Sequence, residues 1–262
     1  MKIHDSTLGL NVANTDQGQF VTSESHATPR AKPGEIITVL SPEGERRFRY
    51  MKAEEAFAIG QVGMIAALID NADVDQAQAT TTAILKGTGD FTANDFGSSV
   101  GAKWPDAYTS IDVNTGAGQT RHIKYNRGST DYLTLDKNWD TALDTTSDYV
   151  TYSVNYISLS DTDDVSARAS QPRGVAISAI ADEEWGWFQI YGFCPLVRCE
   201  GATDPAIRGA LITPSSTAGA VKGPTAAGTT ADDVAVNIGH AMHAYAVADG
   251  AGKGVAAFLN IA

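Results

Sequence analysis

Cysteine is scarce: the 262-residue chain has two, Cys194 and Cys199, too few for a disulfide scaffold. They flank Pro195 and read as small buried thiols, with a bridge between them left open. Without histidines from elsewhere they are also too few for a zinc site. Long apolar runs are missing as well. The longest stretch, Ile59 to Ile69, is interrupted by Gly60, Gln61 and Gly63. It falls short of the ~20 residues a membrane helix needs, so no membrane partner is expected. The first residues, MKIHDSTLGLNVANTDQ, contain no apolar signal core. The expectation is a protein made in a cytosol that does not use the standard secretion route. Positive charge is short too: Lys+Arg is 19 against 31 Asp+Glu, a net charge of -12. Such a surface repels phosphates, which argues against nucleic acid as a direct partner.

Charged residues make up 19% of the chain and hydrophobic residues 43%. That is too apolar for a disordered chain and too lightly charged for a long-helix protein. What the chain has in quantity is short β-like runs closed by turn residues. Glu35–Leu40 and Arg46–Met51 flank Ser41-Pro42-Glu43-Gly44 and predict a hairpin. Lys52–Phe57 predicts a short turn or helical turn, followed by a strand over Val62–Ile69. After Asp73 the texture becomes richer in Thr, Asp, Tyr and Asn as far as Leu159. Strands are expected there at Ala79–Leu85, Ser110–Asn114, Thr120–Asn126, Tyr132–Leu135 and Tyr149–Ser158, with one helical turn at Trp139–Leu143. Later strands are expected at Gly174–Ile180, Trp187–Tyr191, Leu196–Cys199, Ala210–Ile212, Ile238–Val247 and Gly254–Ile261, plus a strand near Gly219–Lys222. The last long pair reads as a hairpin. No repeat of 20–50 residues supports a solenoid or propeller.

The search for chemistry is largely negative. The five histidines are His4, His26, His122, His240 and His243. On a helix, His240 and His243 would share a face, but on a strand their odd spacing sends them to opposite faces. Asp232-Asp233 nearby reads as a solvated turn. No nucleophile elbow and no phosphate-binding glycine motif opens a helix. Gly116 and Gly118 shape a turn between strands, as do Gly250, Gly252 and Gly254 around Lys253. Asp161, Asp163 and Asp164 resemble part of a calcium loop but lack its sixth-position Gly and twelfth-position Glu. They read as a solvated acidic loop, with weak calcium binding left open. No cofactor, no catalytic residue and no metal ligand is expected. The densest signal is aromatic: Trp185, Trp187, Phe188, Tyr191 and Phe193. In an unbroken strand Trp185, Trp187, Gln189 and Tyr191 share one face. Three roles fit that face: a core, a subunit interface, or a sugar-stacking platform. Trp185, Trp187 and Tyr191 are the candidate interface residues.

Two stretches carry a resemblance. Gly116–Tyr152 contains Gly118, Gln119, Arg121, Ile123, Asn126, Leu133, Leu135, Trp139, Asp144, Thr146, Ser147 and Tyr149. It resembles a small β-module that recurs in tailed-bacteriophage structural proteins. Ile123, Leu133 and Leu135 are inward positions, and Thr146 and Ser147 are placed to bond backbone before the last strand. The flanks are Phe48-Arg49-Tyr50, Ala58–Val62, Gln171–Ala176, Glu184–Gly192 and the Val-rich tail. In that order they are similar to phage head decoration, or cement, proteins.

The expected fold is all-β: two small antiparallel β-barrel or sandwich domains, one inserted in the other. An extended N-terminal arm covers 1–33, a discontinuous decoration-like barrel 34–73 plus 160–262, and an inserted module 74–159. The resemblance implies a non-enzymatic virion protein on the capsid surface, made in the host cytoplasm. Its partners would be the major capsid protein and further copies of itself, a trimer by preference. A tail or baseplate component, or a host-glycan-binding module, is the alternative; a carbohydrate-active enzyme is a third. Charge does not oppose such assembly, because exposed charges further apart than ~8 Å are largely screened at physiological salt.

Overall fold

The computed structural model describes residues 3–5, 25–75, 77, 79–81, 83–87, 91–93, 95–97, 103–104, 106–126, 129–159, 172–200, 208–215, 217–223, 237–242 and 254–261. Among them there is no helix, and the chain is all-β. The strands are β1 (Ile3–Asp5), β2 (Ile36–Ser41), β3 (Gly44–Ala53), β4 (Val62–Asp73), β5 (Ile84–Lys86), β6 (Ala107–Val113), β7 (Thr120–Tyr125) and β8 (Tyr132–Leu135). They continue as β9 (Asp148–Leu159), β10 (Pro172–Ala176), β11 (Trp185–Arg198), β12 (Leu211–Pro214), β13 (Val221–Lys222), β14 (Gly239–Ala241) and β15 (Gly254–Asn260). The chain divides into two compact units, Met1–Ile65 with Ile157–Ala262, and Ala66–Tyr156. It passes from one to the other inside β4 and inside β9. The changes of texture after Asp73 and Leu159 therefore mark the ends of those two strands rather than the points where the units part.

In the first unit β11 is the longest strand. Its N-terminal half pairs with β3 and β10, and its C-terminal half pairs with β15. The order then runs β15, β14, β12, β13 on one side. On the other, β3 pairs with β2, and β2 with β1. The pairings are antiparallel except β1 on β2. The β2–β3 hairpin turns over Pro42-Glu43, between the paired residues Ser41 and Gly44. Of the short turn or helical turn expected at Lys52–Phe57, the chain makes the former, a non-helical bend at Glu54-Glu55. Ala53 donates to the Glu184 carbonyl, Glu54 to that of Ile157 and Phe57 to that of Ile180, each at 2.8 Å. Those three N–H groups are committed to carbonyls far along the chain and so do not close a helical turn. Residues 25–34 are also tied in. His26 and Trp185 exchange backbone hydrogen bonds, the Arg30 amide donates to the Tyr50 hydroxyl, and Gly34 donates to the Tyr50 carbonyl. They lie on the first unit rather than extending from it as an arm.

The second unit orders its strands β9, β6, β7, β8, β5. Leu85, Ile111, Ile123, Leu133, Leu135, Trp139 and Tyr149 fill its core. The strand expected over Ala79–Leu85 is confined to Ile84–Lys86. At the β6–β7 turn Asn114, Gly116 and Gly118 have φ of 61°, 84° and 88°. Those are left-handed values that favour Gly and Asn. Trp139–Leu143 does not make a helical turn either. The Asp140 and Thr141 amides donate to Gln119 Oε1 at 2.6 and 3.0 Å, and Gln119 Nε2 donates back to the Gly116 and Thr141 carbonyls. Arg121, 3% exposed, donates to the Asn138 and Thr120 carbonyls and pairs with Asp140 at 3.0 Å. Its guanidinium lies 5.2 Å from the centre of the Trp139 ring, and Trp139 Nε1 donates to the Ile84 carbonyl. Asn126 accepts from the Phe96 amide and donates to the Thr92 and Ser129 carbonyls. Asp144 accepts from the Thr115 hydroxyl and from both the amide and hydroxyl of Thr146.

Two tests follow from this unit. The hydroxyls of Thr115 and Thr146, with the Thr146 amide, hold the Asp144 carboxyl down at about 2 from an ordinary 3.8. A depressed carboxylate stabilises above its unfolded pKa, and that contribution disappears as pH falls through the folded value. Asp144→Asn therefore lowers the urea midpoint at pH 7, and the gap from the parent closes as pH approaches 2. Thr109 and Thr151 face each other across β6 and β9, fully buried, and neither hydroxyl has a hydrogen-bond partner among the described residues. Replacing both by valine removes two unpaired polar groups and keeps their shape. The double variant should gain about 1 kcal/mol or more in a denaturation measurement.

Candidate interaction surfaces

The aromatic strand β11 has two parts with opposite uses. Trp185 and Trp187 are 5% and 3% exposed and close a cluster with Ile37, Phe48 and Tyr50. Tyr50 stacks on Trp185 at 5.7 Å and lies tilted against Trp187 at 5.1 Å. Both tryptophans belong to the chain's own core, so neither offers a face to a partner. Gln189 follows them on that side, fully buried, and its amide donates to the Tyr191 and Phe193 carbonyls. Then the register shifts: Gln189 stands opposite Phe48, but Tyr191 stands opposite Arg47. Two residues of β11 match one of β3, a bulge that turns Tyr191 onto the opposite face. Gly192 follows with φ 88°, where a Cβ would collide with the Glu45 carbonyl. The single aromatic face expected from unbroken alternation is thus split between inside and outside.

Tyr191 is partly buried, packed against the cluster that contains Ile190, Cys194 and Leu259. The Arg47 guanidinium lies 5.0 Å from the centre of its ring, and Phe258 meets it edge-on at 5.4 Å. Phe258 stands opposite Phe193 on one side and His240 on the other. Phe258, His240 and Met242 are exposed, and Arg47 beside Tyr191 is paired with Glu45 at 2.6 Å. The Arg47 and Phe258 contacts occupy the Tyr191 ring, which weighs against a flat sugar platform there. Cross-strand register, which local patterning does not encode, brings Arg47 and Phe258 onto Tyr191.

A second row was equally hidden. His122, Tyr108 and Tyr152 stand directly opposite one another on β7, β6 and β9. Tyr108 meets His122 at 5.0 Å and Tyr152 at 6.1 Å, with the two tyrosine rings nearly parallel. The Ser110 hydroxyl beside them contacts Thr120 at 2.7 Å and Tyr152 at 3.4 Å.

The remaining candidates are dispersed. His26 is held through its backbone by Trp185, His240 is exposed, and His4 lies in β1. His243, Asp161, Asp163, Asp164, Asp232, Asp233, Gly250, Gly252 and Lys253 lie outside the described residues. Cys194 and Cys199 are buried and unbridged, and burial pushes the Cys194 thiol up to about 11. Among the described residues no group of three or more His, Cys, Asp or Glu side chains is placed to hold a metal ion. No helix among them is long and apolar enough to cross a membrane. Carboxylates do crowd at Glu54, where burial first and then Glu55, Glu183 and Asp182 raise the pKa.

No family model, curated protein or solved structure matches the chain. The two halves of β11 are separable by mutation. Trp187→Ala opens a cavity in a packed aromatic cluster and should cost about 3–5 kcal/mol in chemical denaturation. Tyr191→Ala, at a partly buried position against the cluster of Ile190, Val255 and Leu259, should cost less, about 1–3 kcal/mol.

Proposed function

We propose that this chain is a non-enzymatic structural protein of a tailed-phage virion that binds the exterior of an assembled capsid and bridges neighbouring capsid subunits. In this reading it is built as two small barrel- or sandwich-like domains, one inserted in the other, and acts as an oligomer. Its partner is the major capsid protein. One observation carries most of the weight. The residues that resemble the phage β-module, Gln119, Arg121, Asn126, Trp139, Asp144, Thr146 and Ser147, are those whose side chains lock the second unit's turns together. The residues that carry the resemblance are thus the ones that build this unit's turns, which supports the reading.

The contact surface in this reading is the outer patch of Tyr191, Phe258, Arg47 and Met242, since Trp185 and Trp187 serve the core. A protein that joins subunits gains affinity only where several subunits are already assembled. It should therefore bind intact capsids better than free capsid subunits. Specific interfaces bury about 1,200–2,000 Å², and loss of a central aromatic anchor typically costs at least ~2 kcal/mol, about 30-fold in affinity. Tyr191→Ala with Phe258→Ala should reduce occupancy on particles by that order in protein whose cooperative unfolding shows that it is still folded. Equal binding to free subunits, or a location along the tail in labelled particles, would sink the proposal.

The second reading, a tail or host-glycan-binding module, is favoured by the Tyr108–His122–Tyr152 row and its neighbouring hydroxyls. Saturable binding of a neutral oligosaccharide, lost in Tyr108→Ala, would put that reading first.

A further inference from the structure

The turn that leads into β11 is rich in acid: Asp182-Glu183-Glu184 follows Ala181, and the Glu184 amide closes it on the Ala181 carbonyl. It lies against the end of β3, where Lys52 stands opposite Trp185 and the Ala53 amide donates to the Glu184 carbonyl. Two of the carboxylates gathered here have other duties. Glu184 accepts from the Ser25 hydroxyl, and Glu55 accepts from the Leu159 amide at 2.8 Å. Glu183 is used differently. Its backbone takes φ 58°, a left-handed value that a glutamate adopts at a cost. Its carboxylate meets the amine of Lys52, a residue only 7% exposed.

Lys52 and Glu183 are 131 residues apart in sequence, yet the fold holds an amine nitrogen against a carboxyl group. Well-oriented groups kept in contact react as though present at up to about 10⁵–10⁸ M. The third member is Glu54, two residues along from Lys52. Burial first, and then the neighbouring Glu55, Glu183 and Asp182 carboxylates, hold its carboxyl towards the protonated form. A protonated carboxyl beside a reacting pair gives up one proton and takes another. An amine becomes a nucleophile once it has passed its proton on. The Lys52 ammonium and the Glu183 carboxylate then condense with nothing added. Nζ bonds to Cδ, one Cδ–Oε bond breaks, and the departing oxygen leaves as water with two of the three ammonium protons. Glu54 ends as it began. The Glu183 side chain is 42% exposed, so that water has an exit.

We propose that Lys52 and Glu183 join in an amide bond, with Glu54 as the proton carrier, fastening the end of β3 covalently to the turn before β11. The proposal does not depend on the capsid reading. It is tested on the full-length protein by intact mass measured in denaturant. The expected wild-type mass is one water below that of the sequence. Lys52→Arg keeps the positive charge in a group that stays protonated, and it should restore the full mass in protein that still unfolds cooperatively. Protease digestion of the wild type should yield a branched peptide joining Lys52 to Glu183. A wild-type mass with no water lost, or a loss that persists in Lys52→Arg, overturns the proposal. Glu54→Gln separates the chemistry from simple pairing, because it leaves both partners of the ion pair in place. Formation of the link in freshly synthesised protein should slow at least about 100-fold in that variant. Equal rates in variant and wild type overturn the part given to Glu54.

Discussion

The first unit depends on one strand changing sides. β11 runs unbroken from Trp185 to Arg198, yet it contributes to different layers along its length. Before Gln189 its alternate residues, Trp185 and Trp187, build the cluster around Tyr50, while Phe188 packs with Met51 and Phe57 on the other face. After the bulge, Ile190, Cys194 and Val197 enter a third cluster with Val255, Ala257 and Leu259. A regular strand cannot do this, because side chains two apart point the same way for its whole length. The extra residue near Ile190 resets the alternation, and Gly192 lets the bulged backbone pass close to Glu45. Gln189 then bonds the Tyr191 and Phe193 carbonyls flanking Gly192. A buried glutamine in an apolar strand is costly unless its groups have partners; here the amide nitrogen has two, while Oε1 has none among the described residues.

The second unit solves a different problem. Its strands are short and its turns long, so much of its backbone lies outside any ladder. Side chains take over the pairing. Gln119 accepts from two amides and donates to two carbonyls, and Asn126 ties the Thr92 and Phe96 backbone to its own turn at Ser129. Arg121 is the riskiest element, a cation 3% exposed. Burying a charge costs several kcal/mol unless it is neutralised and hydrogen-bonded. The Asp140 carboxylate, two carbonyls and the Trp139 face together supply those partners. Removing any one partner leaves the cation short of compensation, which explains why Gln, Arg, Trp and Asp occur here as a group.

That difference also explains what the sequence made legible. Where a strand alternates regularly between turn residues, its boundaries could be read directly: Tyr132–Leu135 is β8 as the pattern predicts, and the Pro42-Glu43 turn joins the expected hairpin. Local composition misled where distant groups capture the backbone. Ala53-Glu54-Glu55-Ala56 has helix-forming residues, but the Ala53, Glu54 and Phe57 N–H groups go to the Glu184, Ile157 and Ile180 carbonyls far along the chain. Leu196–Cys199 looked like a separate strand because Pro195 interrupts the run. In the structure the register shift between Cys194 and Val197 carries the proline, so its missing N–H breaks no ladder bond. Gly63 and Gly174 are opposite each other on β4 and β10, where Ile157 and Phe188 crowd the space a side chain would need. Nothing near either glycine in sequence announces that meeting.

The same reasoning bears on the surface. Aromatic residues concentrated in one strand are ambiguous in sequence, because a core and an interface select the same side chains. Register decides between them, and register is a property of two strands at once. The bulge sends Trp185 and Trp187 inward and Tyr191 outward. The pairing of β15 with both β11 and β14 then sets Phe258 between Phe193 and His240. The outer patch thus exists only because the inner cluster is built as it is: a β11 without its bulge would bury Tyr191 with the tryptophans and leave Phe258 without its aromatic neighbour. Core and surface are coupled through one extra residue. A substitution that straightened the strand would alter both together.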